Sequence, residues 1–128
     1  MPNRDCLYSG TEKKILAVDN AVMYLNTLKK ILESYPYDLF TTTSCDEALK
    51  YAANNRPDLI LLDIEMPGMD GYELARRIKQ GGCRAPIIFI SANSTKEYVD
   101  KAEEAGAEGL LIKPLRSSQL ISKISEFI

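Results

Sequence analysis

The chain has 128 residues, of which 45% are hydrophobic and 27% are charged, and its formal net charge at pH 7 is −2. A chain of this length buries about two-thirds of its extended surface in one core, so we expect a single domain. Lys and Arg residues are scattered, which argues against direct binding to nucleic acid. The apolar runs 59–62 and 87–90 have four residues each. A bilayer span needs ~18 to 20, and we expect no membrane segment.

Residues 1–12 lack the apolar segment of a signal peptide, so we expect them to form a flexible leader before a domain over 13–128. The three cysteines, Cys6, Cys45 and Cys83, are widely spaced and odd in number, which favours reduced thiols and a cytoplasmic location. Cys45 is expected in the first turn of a helix, where a thiol can become reactive. A structural or incidental role is the favoured interpretation for it.

Short apolar runs alternate with amphipathic stretches along the chain, and this predicts five strand-then-helix units. The strands are predicted over residues 14–18, 38–42, 59–62, 86–91 and 110–112. Strands that alternate with helices are joined by right-handed crossovers and pair in parallel. The predicted fold class is therefore α/β, with a five-stranded parallel sheet and helices on both of its faces.

The helices are predicted from start signals, stop signals and apolar faces. Capping pairs three residues apart predict helix starts at Ser44 with Glu47, Asp70 with Glu73, and Ser94 with Glu97. Stop signals lie at Pro36, at Gly81-Gly82 and at Gly106. The inward faces are predicted to carry, in chain order, Leu25, Leu28, Leu32 and Tyr35, then Leu74, Ala75 and Ile78, and finally Leu120, Ile121, Ile124, Phe127 and Ile128.

Asp63 is the most informative residue of the chain. It closes the apolar run 59–62, and Pro67 and Gly68 follow it closely. A fully apolar run of strand length indicates a strand buried in a parallel sheet, and open α/β folds bind ligands at the carboxyl ends of such strands. The alternative is that Asp63 merely caps a turn.

Polar residues also end the other predicted strands that share this edge. They are Asp19 and Asn20 after the first strand, Ser91 after the fourth and Lys113 after the fifth. Each has a structural interpretation taken singly: Asp19 or Asn20 could cap a helix, Ser91 could satisfy a backbone group, and Lys113 could be solvated. Because all of them converge with Asp63 on one edge, a binding or reaction site is the better interpretation.

Four segments of the chain form a recognisable pattern: Ile15-Leu16-Ala17-Val18-Asp19-Asn20, Leu61-Leu62-Asp63-Ile64-Glu65-Met66-Pro67-Gly68-Met69-Asp70-Gly71, Ile88-Phe89-Ile90-Ser91-Ala92 and Lys113-Pro114. In these segments, and over roughly residues 13–128, the chain resembles the receiver domains of the two-component response-regulator family. The resemblance implies a flavodoxin-like (βα)5 fold with strand order 2-1-3-4-5. It also implies a cis peptide bond between Lys113 and Pro114.

By this resemblance Asp63 is the phospho-acceptor, Lys113 pairs with a phosphoryl oxygen, and the Ser91 hydroxyl donates to another. The implied cofactor is Mg²⁺, which neutralises the negative charge of the reaction. Its implied ligands are Asp19, Asn20, Asp63, the backbone carbonyl of Glu65, and water.

The implied partners are a sensor histidine kinase or a phosphotransfer protein, which donates from a phosphohistidine, and a downstream output domain or target protein. This chain contains no histidine and cannot itself be that donor. The domain is expected to signal rather than to act as an enzyme, apart from catalysing its own phosphorylation and dephosphorylation. A phosphorylation-dependent dimer is among the states that the resemblance allows.

Two residues depart from the family pattern. Members usually carry two adjacent acids after the first strand, whereas Asp19 is followed here by Asn20, which removes one negative charge from the expected cation site. Many members place a Tyr or Phe that swings inward on activation where this chain has Leu110. Leucine cannot act as a polar-tipped aromatic switch, so coupling would have to run through Ser91 and loop movement.

Three other functions remain as alternatives. Asn20 and Leu110 suggest a receiver-like interaction module that acts independently of phosphorylation, and the retention of Asp63, Ser91 and Lys113 argues against it. A hydrolase of the haloacid-dehalogenase kind needs a second Asp two residues after the first, which Asp19-Asn20-Ala21 lacks. A flavodoxin-type FMN carrier needs a Ser, Thr and Gly phosphate loop after the first strand, which is also missing.

Overall fold

In the computed structural model, which describes residues 12–93 and 95–128, five strands alternate with five helices. The strands are β1 (Lys13–Val18), β2 (Tyr37–Thr42), β3 (Leu59–Asp63), β4 (Ile87–Ser91) and β5 (Gly109–Ile112). The helices are α1 (Val22–Leu32), α2 (Cys45–Asn55), α3 (Gly71–Gln80), α4 (Lys96–Glu104) and α5 (Ser117–Ser125). The predicted leader lies outside the described residues except for Glu12. Among the described residues, no helix is both long and apolar enough to span a bilayer.

The five strands form one parallel sheet with the order β2-β1-β3-β4-β5, which confirms the predicted fold and strand order. Their register aligns the carboxyl ends, because Val18 lies opposite both Thr42 and Leu62, and Ser91 lies opposite Ile112. The last residues of neighbouring strands and the loops that follow them therefore share one edge of the sheet. The Lys113–Pro114 peptide bond at this edge is cis, as the resemblance implied.

The sheet is covered on both faces, and this explains why β3 and β4 are buried along their whole length. One face packs against α2, α3 and α4 through a cluster that includes Leu16, Leu62, Leu74 and Phe89. The other face packs against α1 and α5 through a cluster that includes Ile15, Leu61, Leu28, Leu120 and Ile124. A continuous apolar run, rather than an alternating one, is what a central parallel strand between two helical layers requires.

Two of the predicted helix starts are confirmed by side-chain capping bonds. The Ser44 Oγ accepts a hydrogen bond from the Glu47 N–H at 3.1 Å, and the Asp70 Oδ1 accepts one from the Glu73 N–H at 2.8 Å. The third predicted cap, Ser94, lies outside the described residues. The N-cap position of α4 is held by Thr95, whose side chain makes no capping bond.

The predicted stops of α3 and α4 are confirmed. Gly82 and Gly106 lie just beyond these helices with φ of 95° and 86°, which is the left-handed conformation that ends a helix and suits glycine. The predicted end of α1 at Pro36 is wrong. This helix ends at Leu32, and Tyr35 is 40% exposed instead of facing the core. The residue before a proline is disfavoured in the helical conformation, so the chain turns before Tyr35 and its ring stacks on Tyr37 at 6.2 Å.

Helix α3 begins in direct contact with the end of β3, and Gly71 makes this approach possible. The Gly71 N–H donates to the Ile64 carbonyl at 2.7 Å. A Cβ at position 71 would lie 2.7 Å from the Ile64 Cα and closer still to the Asp63 carbonyl oxygen. Only a residue without a side chain fits between the helix and the strand.

The cost of filling this contact can be measured against a glycine where a Cβ would make only ordinary van der Waals contacts. Gly71→Ala forces backbone against backbone, so we expect it to lower the free energy of unfolding by about 1 to 3 kcal/mol or more. Gly81→Ala is the matched control. The nearest atoms to its Cβ are 3.5 Å away, and we expect its free energy of unfolding to stay within about 1 kcal/mol of the wild type. Urea denaturation of the three proteins decides; equal stabilities of the two variants would contradict the close contact.

Candidate functional site

The shared edge of the sheet brings three of the predicted charged residues together. Asp19 and Asp63 are 3% and 2% exposed. The Lys113 Nζ lies 3.0 Å from the Asp19 Oδ2 and 3.8 Å from the Asp63 Oδ2. One ammonium is thus shared by two buried carboxylates, as the convergence of strand ends predicted, and Lys113 is not a solvated surface lysine.

Asp19 combines a structural role with a place in the site. Its backbone N–H donates to the Thr42 carbonyl at 3.2 Å, which fixes the end of β1 against β2. Its Oδ1 accepts a hydrogen bond from the Ala21 N–H at 2.8 Å, at the entrance to α1. The other carboxylate oxygen faces Lys113. The capping role that the sequence suggested and the ion pair with Lys113 therefore coexist in one side chain.

Asp63 is held in a position that disfavours its own charge. The pKa of its carboxyl is raised from 3.8 to about 6, first because the group is buried and then because the charge of Asp19 is close. A hydrogen bond from the Glu65 N–H at 3.2 Å and the charge of Lys113 act in the opposite direction. Desolvation and like-charge repulsion prevail because a single cation serves two acids.

Asn20 lies at the exposed side of the same cleft. With its amide turned so that the NH₂ group faces inward, that group donates to the Asp63 Oδ2 at 3.0 Å and to the Glu65 carbonyl at 3.2 Å. Both partners are acceptors, so in the absence of a cation the amide has to present its donor side. Half a turn of the amide would instead direct its oxygen towards these two oxygens.

The donor set at this point fits a hard divalent cation, because it consists of oxygens from Asp19, Asn20, Asp63 and the Glu65 backbone. Among the described residues no group of three His, Cys, Asp or Glu side chains is placed to hold a metal ion. The site reaches a fuller donor set only through the Asn20 amide and the Glu65 carbonyl. The side chain of Glu65 is exposed, and its backbone is the part that faces the site.

Ser91 is completely buried at the end of β4. Its Oγ accepts a hydrogen bond from the Asn93 N–H at 2.9 Å, and its carbonyl accepts one from the Lys113 N–H at 2.8 Å. The structural role that the sequence allowed for Ser91 is therefore present. The same contacts also tie the loop after β4 to the residue that carries the ammonium.

Two further residues have a bearing on the sequence predictions. Leu110 is half-buried on β5 and packs against the core beneath α4. Cys45 is the first residue of α2, as expected. Burial first, and the charge of Asp46 second, raise the pKa of its thiol, which makes it less reactive and agrees with a structural role.

One residue at the site was missed by the sequence analysis. Tyr24 lies in the first turn of α1, and its ring centroid is 3.9 Å from the Lys113 Nζ. Tyr24 and Lys113 are far apart in the chain, and nothing in the spacing around Tyr24 marks it. No local signal in the sequence could have found it.

Comparison with known proteins gives a consistent set of relatives. The sequence matches the family model described as the response regulator receiver domain over residues 15–125. The alkaline phosphatase synthesis transcriptional regulatory protein PhoP of Bacillus subtilis is 33% identical over 118 residues, which cover 91% of this chain and 48% of that protein. The sensor histidine kinase RcsC of Escherichia coli is 34% identical over 116 residues, which cover 90% of this chain and 12% of that protein. The chain thus spans about half the length of the transcriptional regulators that it matches.

Solved structures agree with the fold. The chemotaxis protein CheY4 of Vibrio cholerae has a TM-score of 0.85 at 26% identity and covers 91% of this chain and 99% of its own. A CheY-like receiver domain protein of Methanospirillum hungatei has a TM-score of 0.83 at 30% identity, with coverages of 90% and 92%. The receiver domain of sensor histidine kinase PA1611 of Pseudomonas aeruginosa, which holds a magnesium ion in its active-site cleft, has a TM-score of 0.83 at 26% identity, with coverages of 91% and 97%.

The raised pKa of Asp63 gives the metal-free protein an unusual dependence on pH. An acid whose pKa is higher in the folded state contributes stability that is complete below its unfolded pKa, here 3.8, and is lost as the pH rises through about 6. Asp63→Asn removes this titration. We expect the free energy of unfolding of the variant, relative to the wild type, to rise by on the order of 2 kcal/mol between about pH 4 and about pH 7.

Urea denaturation of both proteins in the presence of a chelator, at several pH values in this window, measures the difference. Titrating groups remote from Asp63 cancel because they are common to the two proteins, so the difference reports on Asp63 and the charges beside it. A difference that stays constant, or that shrinks as the pH rises, would show that Asp63 does not carry a raised pKa.

Proposed function

The chain belongs to the family of response regulator receiver domains of two-component systems, and on that premise we propose that Asp63 accepts a phosphoryl group and that this modification switches the binding of a partner. The observation that carries the proposal is the shared ammonium: a buried carboxylate at the end of the central strand lies beside Lys113, in a cleft that is short of positive charge. The ammonium suits a nucleophile whose reaction brings negative charge into the site, and the shortage of positive charge calls for a further cation during that reaction.

The reaction that fits this geometry is a transfer between two protein side chains. An Asp63 carboxylate oxygen forms a bond to phosphorus while the phosphorus–nitrogen bond of a phosphohistidine donor breaks. The donor imidazole is protonated on its other ring nitrogen. It leaves with the bonding electron pair, keeps that proton and is then neutral. Because the pKa of Asp63 is about 6, the attacking carboxylate is the main form at neutral pH.

Lys113 and Ser91 would receive the phosphoryl group once it is bound to Asp63. The Lys113 ammonium already lies 3.8 Å from the Asp63 Oδ2, so a small movement away from Asp19 brings it to a phosphoryl oxygen. The Ser91 hydroxyl would donate to a second oxygen. Its present bond to the Asn93 N–H uses the hydroxyl as an acceptor and leaves its hydrogen free for this purpose.

Mg²⁺ is the cofactor that we propose, with Asp19, Asn20, Asp63 and the Glu65 carbonyl as its ligands. When bound, it would offset the negative charge that accumulates between the carboxylate and the phosphoryl group. The support is the oxygen-rich donor set of the cleft and the magnesium ion in the active-site cleft of the PA1611 receiver domain. Among the chain's own residues, Lys113 supplies the fixed positive charge and Asp19 holds it in place.

The partners that we propose are a sensor histidine kinase or phosphotransfer protein as donor and an output domain or target protein as receiver of the signal. The absence of histidine from this chain means that the donor is a different protein or domain. Relatives include both transcriptional regulators and sensor histidine kinases, so the family alone does not specify the output. A cytoplasmic location and a phosphorylation-dependent dimer stay predictions of the same proposal.

A receiver-like module that binds its partner without phosphorylation is the second candidate. One observation favours it: with its NH₂ group turned inward, the Asn20 amide donates to Asp63 and to the Glu65 carbonyl, so these two oxygens have a partner without a cation. The two candidates differ in whether Asp63 reacts at all, and the following experiment distinguishes them.

Incubation with acetyl phosphate and Mg²⁺, followed by intact mass measurement, tests the proposal directly. We expect the wild-type protein to gain one phosphoryl group, about 80 Da. Asp63→Asn, which keeps the shape but removes the nucleophile, should gain none. A wild-type protein that stays unmodified, or a variant labelled to the same extent, would reject Asp63 as the acceptor and favour the phosphorylation-independent module.

The departure at Asn20 makes a separate prediction. Asn20→Asp restores a carboxylate facing the cation, so we expect Mg²⁺ to bind about tenfold more tightly or better. The same change should lower the stability of the metal-free protein, because it removes the amide donor to Asp63 and adds a third acid beside Asp19. The two effects have opposite signs and arise from one substitution.

A Mg²⁺ titration followed by calorimetry, together with urea denaturation in a chelator, measures both quantities. Asn26→Asp is a matched control. It makes the same Asn-to-Asp change, but at a position on α1 that is outside the proposed ligand set. Equal Mg²⁺ affinities of Asn20→Asp and wild type would place Asn20 outside the coordination shell.

A further inference from the structure

The Lys113 ammonium has a third neighbour besides its two carboxylates. The ring of Tyr24 lies 3.9 Å from the Nζ, measured to the ring centroid, while Asp19 lies 3.0 Å and Asp63 3.8 Å from the same atom. Only 10% of the Lys113 side chain is exposed. The ring therefore closes one side of the space in which the ammonium can move.

The turn that places Asp19 also places Tyr24. The Asp19 Oδ1 accepts a hydrogen bond from the Ala21 N–H at 2.8 Å, and the Ala21 carbonyl accepts one from the Tyr24 N–H at 3.0 Å. The carboxylate and the ring are thus fixed to each other by two consecutive bonds of the same turn. Two of the partners of Lys113 therefore come from one turn.

Core packing does not account for the ring. The buried residues of α1 are Leu25, Leu28 and Leu32, which pack against the sheet. Tyr24 is half-buried, and its neighbours Val22 and Met23 are exposed. The Tyr24 ring lies at the margin of that apolar face. Unlike the buried leucines of α1, it contacts the ammonium of Lys113.

A ring attracts an ammonium differently from a carboxylate. The attraction comes from the negative face of the aromatic system and acts within about 6 Å of the centroid. It uses none of the ammonium's hydrogen-bonding capacity, so all three N–H groups stay available for oxygen acceptors. Holding the long side chain of a lysine in one place costs rotamer freedom, and the attraction of the ring helps to offset that cost.

We infer that Tyr24 is a positioning residue, whose ring holds the Lys113 ammonium between Asp19 and Asp63, so that only a small movement brings it to the incoming phosphoryl group. This inference rests on the proposed phosphoryl transfer to Asp63. Helix α1 would then help to orient the ammonium of Lys113, the residue that directly follows β5. An effect of this kind appears in the rate of the transfer more than in the binding of the donor.

The contact itself is tested by NMR on the unphosphorylated protein. Protons over the face of an aromatic ring resonate at unusually high field, so the Lys113 ε-methylene protons should do so in the wild type and in Tyr24→Phe. In Tyr24→Leu and Tyr24→Met, which keep an apolar side chain on the helix, they should return to the ordinary position for lysine. Tyr35→Leu, the same substitution at an exposed tyrosine outside the site, should leave them unchanged.

The consequence is tested by the rate of phosphorylation with acetyl phosphate and Mg²⁺. We expect the maximal rate to fall about three- to tenfold in Tyr24→Leu and Tyr24→Met, with little change in the half-saturating concentration of acetyl phosphate. Tyr24→Phe should stay within about twofold of the wild type, and Tyr35→Leu should equal it. Urea denaturation of each variant confirms that the proteins compared are folded.

The outcomes separate this inference from the function on which it rests. Wild-type rates in both Tyr24→Leu and Tyr24→Met would overturn the role of Tyr24 and leave Asp63 as the acceptor. A loss of rate in Tyr24→Phe equal to that in Tyr24→Leu would also overturn it, because the hydroxyl rather than the ring would then be required. A wild-type protein that accepts no phosphoryl group would reject the proposed function itself.

Discussion

The whole site depends on a shortage of positive charge. Two carboxylates, Asp19 and Asp63, are buried at the end of the central strands, and Lys113 is the only ammonium within 4 Å of either among the described residues. An isolated buried charge is costly, and a pair of like charges is more so. Burial first, and the nearby charge of Asp19 second, raise the pKa of Asp63 to about 6. A further cation relieves the shortage, and a proton relieves it in part, so the cleft is poised to accept positive charge.

The scaffold makes this arrangement tolerable because its stability comes from elsewhere. Strands β3 and β4 are buried along their entire length between two layers of helices, and their aliphatic side chains supply two apolar clusters. The residues that conflict with the core are confined to the last position of a strand or to the loop after it. Burial of the apolar run thus holds Asp63 in a place that its own electrostatics disfavour.

The sequence allowed the fold and the main site residues to be predicted because local rules and the global fold agree there. The unbroken apolar run before Asp63 and the paired caps at Ser44 and Asp70 each act over a few residues, and each appears in the structure as expected. Three features of the structure were not predicted from the sequence. The exposure of Tyr35 depends on where the chain turns before Pro36, the orientation of the Asn20 amide depends on what occupies the cleft, and the contact of Tyr24 with Lys113 joins elements from opposite ends of the chain. Such long-range contacts leave no periodic trace in a single sequence.

Gly71 connects Asp63 to the first turn of α3. The first turn of α3 touches the backbone at Asp63 and Ile64 without room for a methyl group, and a hydrogen bond of 2.7 Å from the Gly71 N–H joins the same segments. The first turn of α3 therefore has no space to move closer to the end of β3. Because no gap separates the two segments, a shift of the backbone at Asp63 towards α3 would push directly against the first turn of that helix.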